Sequence, residues 1–188
     1  MDRNIYFVSD SHFGHSNALT FLRNDGVTRM RPEFDTVEQM DEAMIERWNS
    51  VVKPSDKIYH LGDICFNSKT IDRVLPQLNG TKRLCLGNHD SEVPTLVKHI
   101  KKIMLWRLFK DEGFICSHIP LRPEQFRQKV VLNVHGHLHE KIINDPRYFN
   151  VCVENHEYTP IHMDVVLQKV RLVRESINWE EVNWEVEH

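Results

Sequence analysis

Five short apolar runs, each ending in a polar side chain that can bind a metal, place the strongest constraint on how this chain can fold. NIYFVSD ends at Asp10, KIYHLGD at Asp63, RLCLGNHD at Asp90, GFICSH at His118 and VVLNVHGHLH at His139. Each run has the length and apolar content of a buried strand. Because ligands in open α/β sheets collect beyond the carboxyl ends of the strands, we expect these five ends to meet at one site.

Helical patterns alternate with the early strands. Residues 35–51 have apolar side chains at helical spacing, and Asp35 with Glu38 resembles a capping box. A shorter helix is predicted over residues 71–78. Residues 102–117 predict a β-hairpin, so the later strands are expected to be partly antiparallel. The predicted fold class is therefore α/β, with mixed β-sheets flanked by helices.

The length, composition and net charge of the chain argue against several classes of protein. Its 188 residues predict a single domain over residues 1–188, and 40% hydrophobic with 27% charged residues is typical of a globular protein. A net charge of -3 argues against stable binding to duplex nucleic acid. No segment approaches the roughly 18 apolar residues of a membrane span, so we expect no membrane contact and a cytoplasmic location. The oligomeric state stays open.

The cysteines and the C-terminal residues carry weaker signals. The four cysteines form no CxxC pair and lie in or beside apolar runs, which predicts buried, reduced thiols. Residues 171–188 predict a short terminal strand or helix packed by Trp179 and Trp184, with an acidic end.

The side chains at the strand ends suggest a particular kind of metal. They comprise carboxylates, one amide and several imidazoles, from Asp10, His12, Asp63, Asn88, His89, His118, His137 and His139. Ca²⁺ and Mg²⁺ favour shells of oxygen alone, whereas a mixed oxygen and nitrogen set suits borderline divalent ions. We therefore expect divalent transition-metal ions, with Mn first and Fe, Zn, Ni or Co as alternatives.

The motifs D-x-H, G-D, G-N-H-D, a lone H and G-H-x-H follow one another from Asp10 to His139. This ordered set resembles the calcineurin-like metallophosphoesterases, and most closely their small bacterial and phage phosphoesterases or phosphohydrolases. The resemblance implies a metallophosphoesterase-like four-layer architecture around a β-sandwich core. It also implies two metal ions, one held by Asp10, His12, Asp63 and His139 and the other by Asp63, Asn88, His118 and His137.

The same resemblance implies a hydrolytic mechanism. A hydroxide shared by the two ions attacks a phosphoester, His89 acts as the acid for the leaving oxygen, and Asp90 orients the His89 ring. The protein phosphatases of the superfamily have the motif G-D-x-V-D-R-G at the position where this chain has GDICFNS. This difference favours a phosphodiesterase acting on a small nucleotide or a short nucleic-acid end over a protein phosphatase. A phosphomonoesterase acting on a small molecule and a non-catalytic metal-binding scaffold remain as alternatives.

Other polar residues near the motifs have competing interpretations. The alternation in VHGHLHE would point three histidines the same way on a strand, but His135 lies outside the motif and is predicted to be packed rather than a ligand. His15 and Arg122 are candidate substrate-binding residues, with a loop hydrogen bond and an ordinary surface position as the alternatives. Residues 17–52 are expected to form a pocket wall whose aromatic and basic side chains either hold a base and a phosphate or only cover the sheet, namely Phe21, Arg23, Arg29, Arg31 and Phe34.

Overall fold

The structure is a computed structural model that describes residues 4–23, 25–126 and 129–176. Its strands are β1 (Ile5–Val8), β2 (Lys57–His60), β3 (Thr81–Cys85), β4 (Lys102–Met104), β5 (Trp106–Phe109), β6 (Phe114–Ser117), β7 (Leu132–His135), β8 (Tyr148–Asn150) and β9 (Ile161–His162). Its helices are α1 (Val37–Val51), α2 (Ser68–Val74), α3 (Val93–His99) and α4 (Met163–Ser176).

The strands form two mixed sheets, which confirms the predicted fold class. The first sheet has the order β4-β3-β2-β1-β9, in which β1 to β4 are parallel and β9 is antiparallel. The second has the order β5-β6-β7-β8, in which β5 and β6 form the predicted antiparallel hairpin. The hairpin is shorter than predicted, because residues 102–104 pair with β3 and belong to the other sheet.

Two apolar cores follow from the alternation of side chains along the strands. Phe7 of β1 points into a core that also holds Leu132 and Val134 of β7 and Val170 of α4. Its neighbours along β1 point to the opposite face, where α1 contributes the fully buried Trp48 together with other side chains. Because one core contains residues of both sheets, the sheets pack face to face and their loops share one edge.

The helix ends correct two details of the sequence prediction. Thr36, rather than Asp35, caps α1, and its side chain accepts a hydrogen bond from the main-chain N–H of Gln39. The shorter helix α2 begins three residues earlier than predicted, at Ser68, because the Asn67 side chain caps it. Its last turn is a 3₁₀ turn that contains Pro76, because a proline cannot donate the main-chain hydrogen bond of a regular α-helix.

Further expectations concern the cysteines and the C-terminal residues. All four cysteines are buried and unpaired, as predicted. Residues 171–176 belong to α4, so the helical alternative holds for the part that the structure describes. Trp179 and Trp184 lie outside the described residues. None of the helices within the described ranges has the length and apolar character needed to cross a membrane.

Candidate metal centre

The loops after β1, β2, β3, β6 and β7 converge on one site. They bring together all of the residues predicted as metal ligands: Asp10, His12, Asp63, Asn88, His118, His137 and His139. The ligand atoms of Asp10, His12 and His139 lie within 4.8 Å of one another. Those of Asp10, Asp63 and His118 do so as well.

The first group of candidate ligands is spaced as one ion requires. Oδ1 of Asp10 lies 3.8 Å from Nε2 of His12 and 3.9 Å from Nε2 of His139. Oδ2 of Asp63 lies 3.9 Å from the same nitrogen of His12. Two ligand atoms that each lie about 2.1 Å from one ion are about 3 to 4 Å apart. The separations therefore fit a single divalent ion.

The second group shares the same oxygen of Asp63. Oδ2 of Asp63 lies 3.5 Å from Nε2 of His118, which in turn lies 2.9 Å from Oδ1 of Asn88. Nδ1 of His137 lies 3.0 Å from that amide oxygen and 3.2 Å from the His118 nitrogen. One carboxylate oxygen thus faces both groups, which is the arrangement expected of a bridging ligand.

Buried polar atoms without partners mark the centre of the site. Among the described residues, Oδ1 of Asp10 and both ring nitrogens of His12 are buried without a hydrogen bond. Most buried polar groups in proteins are paired, so unpaired atoms of two neighbouring residues call for another partner. A divalent ion bound to Oδ1 of Asp10 and Nε2 of His12 would supply it, and the donor set therefore fits a metal.

Hydrogen bonds leave one oxygen of each carboxylate free. Oδ2 of Asp10 accepts from the Ser9 hydroxyl at 2.5 Å, from the His137 main-chain N–H at 2.8 Å and from the Cys152 thiol at 3.2 Å. The two oxygens of Asp63 also differ in their partners, because Oδ1 accepts a hydrogen bond from the main-chain N–H of His89, in the loop after β3, at 2.8 Å. The remaining oxygens, Oδ1 of Asp10 and Oδ2 of Asp63, face the histidines.

Hydrogen bonds also select the nitrogen that each of two histidines presents. Nδ1 of His118 donates to the main-chain oxygen of Leu61 at 2.8 Å, and Nδ1 of His139 donates to Oε1 of Glu154 at 3.1 Å. In a neutral imidazole only one nitrogen carries a proton, so Nε2 of each ring keeps its lone pair. Both Nε2 atoms face the carboxylates.

The pKa of Asp10 favours the anionic form that a ligand requires. Burial raises the pKa of this carboxyl, but His12, His118 and His139 outweigh that effect and hold it well below its usual range. Asp10 therefore carries a negative charge at neutral pH although its side chain is fully buried.

The backbone at the site adopts a conformation that side chains rarely tolerate. Five of the candidate ligands have positive φ, namely Asp10 at 58°, His12 at 51°, Asp63 at 57°, His137 at 70° and His139 at 52°. Such left-handed residues cost about 1 to 3 kcal/mol each and concentrate at functional sites. The strand β7 ends at His135, so the sequence interpretation that placed residues 137–139 on the strand is wrong. They form a tight turn that aims both rings inward.

Gly136 allows this turn to approach Asp10, which leads to a first prediction. A Cβ atom at residue 136 would lie 2.0 Å from the Ser9 hydroxyl oxygen and 2.3 Å from Oδ2 of Asp10. We expect Gly136→Ala to displace the Asp10 carboxylate and to lower the stability of the chain by about 1 to 3 kcal/mol, with weaker Mn binding.

Thermal melting and calorimetric Mn titration measure the two effects of Gly136→Ala. Gly26→Ala is the control for Mn binding, which should be that of the wild type, since nothing lies within 4 Å of the Cβ that it adds. Because Gly26 has a φ of 67°, we expect this variant to lose some stability through backbone strain alone. Unchanged Mn binding by Gly136→Ala would contradict the expected displacement of Asp10.

The predicted acid, His89, lies at the exposed rim of the site. Its ring packs against Phe66 with the centroids 4.8 Å apart, and it lies 5.9 Å from the ring of His12. Its main-chain N–H donates to Oδ1 of Asp63. The exposed ring beside two candidate ligands is placed where a leaving group could reach it.

Asp90 does not orient His89 as predicted. Its carboxylate is 5% exposed and accepts hydrogen bonds from the main-chain N–H groups of Asp63, Ile64 and Gly87 at 2.8 to 3.0 Å. Burial raises the pKa of Asp90, although these hydrogen bonds oppose that effect. The structure therefore gives Asp90 a different task, which is to tie the loop after β2 to the loop after β3.

The two predicted substrate-binding residues have different surroundings. His15 is partly buried, and its ring stacks on Phe66 with the centroids 4.1 Å apart, next to the exposed Phe21. Arg122 is exposed at the start of a short 3₁₀ turn, Pro123–Gln125. His15 lies beside the candidate ligand His12, because its main-chain N–H donates to the main-chain oxygen of His12 at 3.2 Å and the two ring centroids are 6.0 Å apart. The hydrogen bonds of the described residues do not join Arg122 to the site.

The structure also shows which side chains of the expected pocket wall, residues 17–52, are buried and which are exposed. Arg31 is fully buried and donates to main-chain oxygens of Asp10 and Ser11, so it does not face a substrate. Phe34 is also buried, whereas Arg29 donates to main-chain oxygens of its own loop. These three residues follow the alternative in which the segment covers the sheet.

The sequence analysis missed three residues that contact the candidate ligands: Phe66, Cys152 and Glu154. The run YFNVCVEN, over residues 148–155, also reads as an apolar strand that ends in a polar residue. Because metal-binding side chains are expected where an apolar run ends, the same pattern predicts Glu154 as a candidate site residue. Nothing in the sequence distinguishes Cys152 from the other buried cysteines.

The fold and this site together define a mixed α/β protein with a candidate metal centre rich in His and Asp. No family model matches the chain. Uncharacterized protein MJ1445 of Methanocaldococcus jannaschii is 30% identical over 192 residues, covering 92% of this chain and 96% of the relative. The chain belongs to the same family as MJ1445.

Further comparisons extend this relationship. Gene 66 protein of Mycobacterium phage L5 is 29% identical over 173 residues, covering 74% of this chain and 79% of that protein. The crystal structure of AQ665 from Aquifex aeolicus, a protein of unknown function, is 25% identical with a TM-score of 0.70 and covers 89% of this chain and 99% of AQ665. An archaeal phosphodiesterase is more distant, with 16% identity and a TM-score of 0.45 over 79% of this chain and 82% of its own.

Proposed function

We propose that this chain is a dinuclear metal-dependent phosphoesterase that hydrolyses a phosphodiester of the small-nucleotide type. One observation carries the proposal: Oδ2 of Asp63 lies 3.9 Å from Nε2 of His12 and 3.5 Å from Nε2 of His118, so a single oxygen is common to both ligand groups. Paired divalent ions with a common ligand are the usual centre for displacement at phosphorus.

Different residues of the chain have different roles in the proposed reaction. When bound, the two ions supply a hydroxide at neutral pH and neutralise charge on the phosphoryl group. Asp10 and Asp63 provide the anionic oxygens that hold the ions. His89, exposed at the rim, donates a ring proton to the leaving oxygen, which would otherwise depart as an alkoxide.

The preference for a diester rests on the arginines near the site. A phosphomonoester carries about 1.5 to 2 negative charges at pH 7, which an additional arginine would help to bind. Arg31 is the arginine that the hydrogen bonds of the described residues place beside the ligands, and its charge is paired with Glu154. A diester carries one negative charge and needs no such partner. Mn is the proposed metal because the mixed donors suit a borderline ion.

The test is hydrolysis of bis(p-nitrophenyl) phosphate beside p-nitrophenyl phosphate by metal-stripped protein reconstituted with Mn, Ni, Zn or Mg. We expect Mn to restore turnover of the diester, with the monoester cleaved at least about tenfold more slowly, a difference of about 1.4 kcal/mol in the barrier. The parallel assay on the monoester controls for adventitious phosphatase. Preference for the monoester would replace the proposed substrate class, and no turnover with any metal would favour the non-catalytic scaffold.

A further inference from the structure

A buried ion pair lies directly behind the candidate ligand His139. Glu154 follows β8 in a short 3₁₀ turn, Val153–Asn155, and its side chain is 1% exposed. Its Oε1 accepts hydrogen bonds from Nδ1 of His139 at 3.1 Å and from Nη2 of Arg31 at 2.7 Å. Arg31 is itself fully buried.

We propose that Glu154 is a positioning residue for the metal centre: it holds the His139 ring with Nε2 turned toward Asp10, and Arg31 fixes Glu154 in that place. The inference rests on the function proposed above, because it concerns the same centre. It assigns a role to two residues that lie outside the set predicted as metal ligands.

The first step of the argument is the choice of ring nitrogen. A carboxylate accepts hydrogen bonds and cannot donate them, so in the neutral ring, the form that binds a metal, Nδ1 of His139 carries the proton and Nε2 keeps its lone pair. That Nε2 atom lies 3.9 Å from Oδ1 of Asp10, the buried oxygen that has no hydrogen bond. The ring is also stacked on His12, with the centroids 5.1 Å apart at 20°. Stacking on His12 is compatible with either of two ring orientations related by a 180° flip. The hydrogen bond to Glu154 selects the orientation in which Nε2 faces Asp10.

The second step is the anchoring of Glu154 to the loop after β1. Arg31 donates from Nη2 to the main-chain oxygen of Asp10 at 2.7 Å and from Nη1 to that of Ser11 at 2.8 Å. Its Nε donates to Oε1 of Glu154 at 3.0 Å. One guanidinium therefore joins the loop that carries Asp10 to the carboxylate behind His139. The distance between the two candidate ligands depends on this connection.

Charge supports the same assignment. Oε1 of Glu154 lies 2.7 Å from Nη2 of the fully buried Arg31 and 3.1 Å from Nδ1 of His139, so this ion pair places a carboxylate directly behind the imidazole. An anion behind an imidazole makes the ring a better electron donor, and such partners commonly change metal affinity about 10- to 100-fold. We expect the effect at the group that contains His139 and not at the group that contains His118 and Asn88.

The experiment is calorimetric titration of the metal-free full chain with MnCl₂, comparing wild type with Glu154→Gln and Glu154→Leu. Gln keeps an oxygen that can accept from Nδ1, whereas Leu has nearly the same size and no acceptor. We expect one of two Mn sites to weaken about 10- to 100-fold in the Leu variant and less in the Gln variant, while the other site is unchanged. Glu157→Gln, an exposed residue of the same segment, is the matched control.

A second variant separates positioning from simple folding. Glu154→Leu leaves Arg31 buried without its partner, which is destabilising in itself, so Arg31→Met is combined with it to remove both charges. If that double variant melts cooperatively yet still loses the one Mn site, the proposal is supported. If it binds both ions as wild type does, Glu154 is only a structural partner of Arg31 and the proposal is overturned. Failure of the proposed function would look different, because Mn-loaded wild type would then turn over neither phosphoester, whatever the Mn titrations of the Glu154 variants show.

Discussion

Replacing Asp63 with Asn should lower diester hydrolysis about 10³-fold or more. Oδ2 of Asp63 is the oxygen that faces both His12 and His118, so the amide would remove the charge that serves both ions. Losing about 4 kcal/mol of charge stabilisation corresponds to that factor. The amide side chain of the variant keeps an oxygen that can accept the hydrogen bond that Oδ1 now receives from the His89 main-chain N–H. The loop should therefore stay folded.

The assay for Asp63→Asn combines initial rates on bis(p-nitrophenyl) phosphate with metal analysis of the purified chain. We expect fewer than two Mn ions per chain at concentrations that saturate wild type. Asp35→Asn is the control, because the Asp35 side chain is 85% exposed, and it should match wild type in both measurements. A folded Asp63→Asn variant with wild-type turnover would rule out the shared-ligand centre.

His89→Gln is expected to lower turnover about 10²- to 10⁴-fold, the usual contribution of general acid–base catalysis, while Mn binding stays that of wild type. The prediction separates chemistry from metal binding, because the His89 ring is exposed while its main-chain N–H, which Gln retains, bonds Asp63. The readout is the rate together with calorimetric Mn titration of the same sample.

His99→Gln is the matched control for His89→Gln. His99 lies in α3, where its ring contacts Asp72 at 2.7 Å, and it belongs to no part of the candidate site. A leaving group that departs easily needs little help from an acid. The deficit of His89→Gln should therefore be larger on a dinucleoside phosphate, which must expel an alkoxide, than on a diester that expels p-nitrophenolate. Equal activity of His89→Gln and wild type on both would remove His89 from the mechanism.

The correction for Asp90 shows the limit of motif reading. The motif G-N-H-D places a carboxylate next to His89 in the sequence, and a carboxylate often orients a catalytic imidazole. In the fold the Asp90 side chain points the other way and accepts three main-chain N–H groups. Adjacent residues in a loop need not face each other, because the loop conformation determines the direction of each side chain.

The turn at residues 136–139 shows the same limit for periodicity. Alternating histidines predicted a strand, yet His137 and His139 have positive φ and lie beyond β7. Strand periodicity assumes extended backbone at every residue. Contacts made by distant residues, such as the hydrogen bond from the His137 N–H to Asp10, impose the turn instead.

The sequence by itself determined the α/β class, the strand ends that carry the candidate ligands and the packed state of His135, which is fully buried as predicted. These features depend on local patterns, because an apolar run specifies a strand and the residue that follows it must lie at the sheet edge. Only the tertiary structure decided which oxygen of Asp10 is free and which nitrogen of His139 is presented. It also decided that Glu154 and Arg31 stand behind the ring. Those features arise from contacts between residues as far as 142 positions apart, which no local pattern encodes.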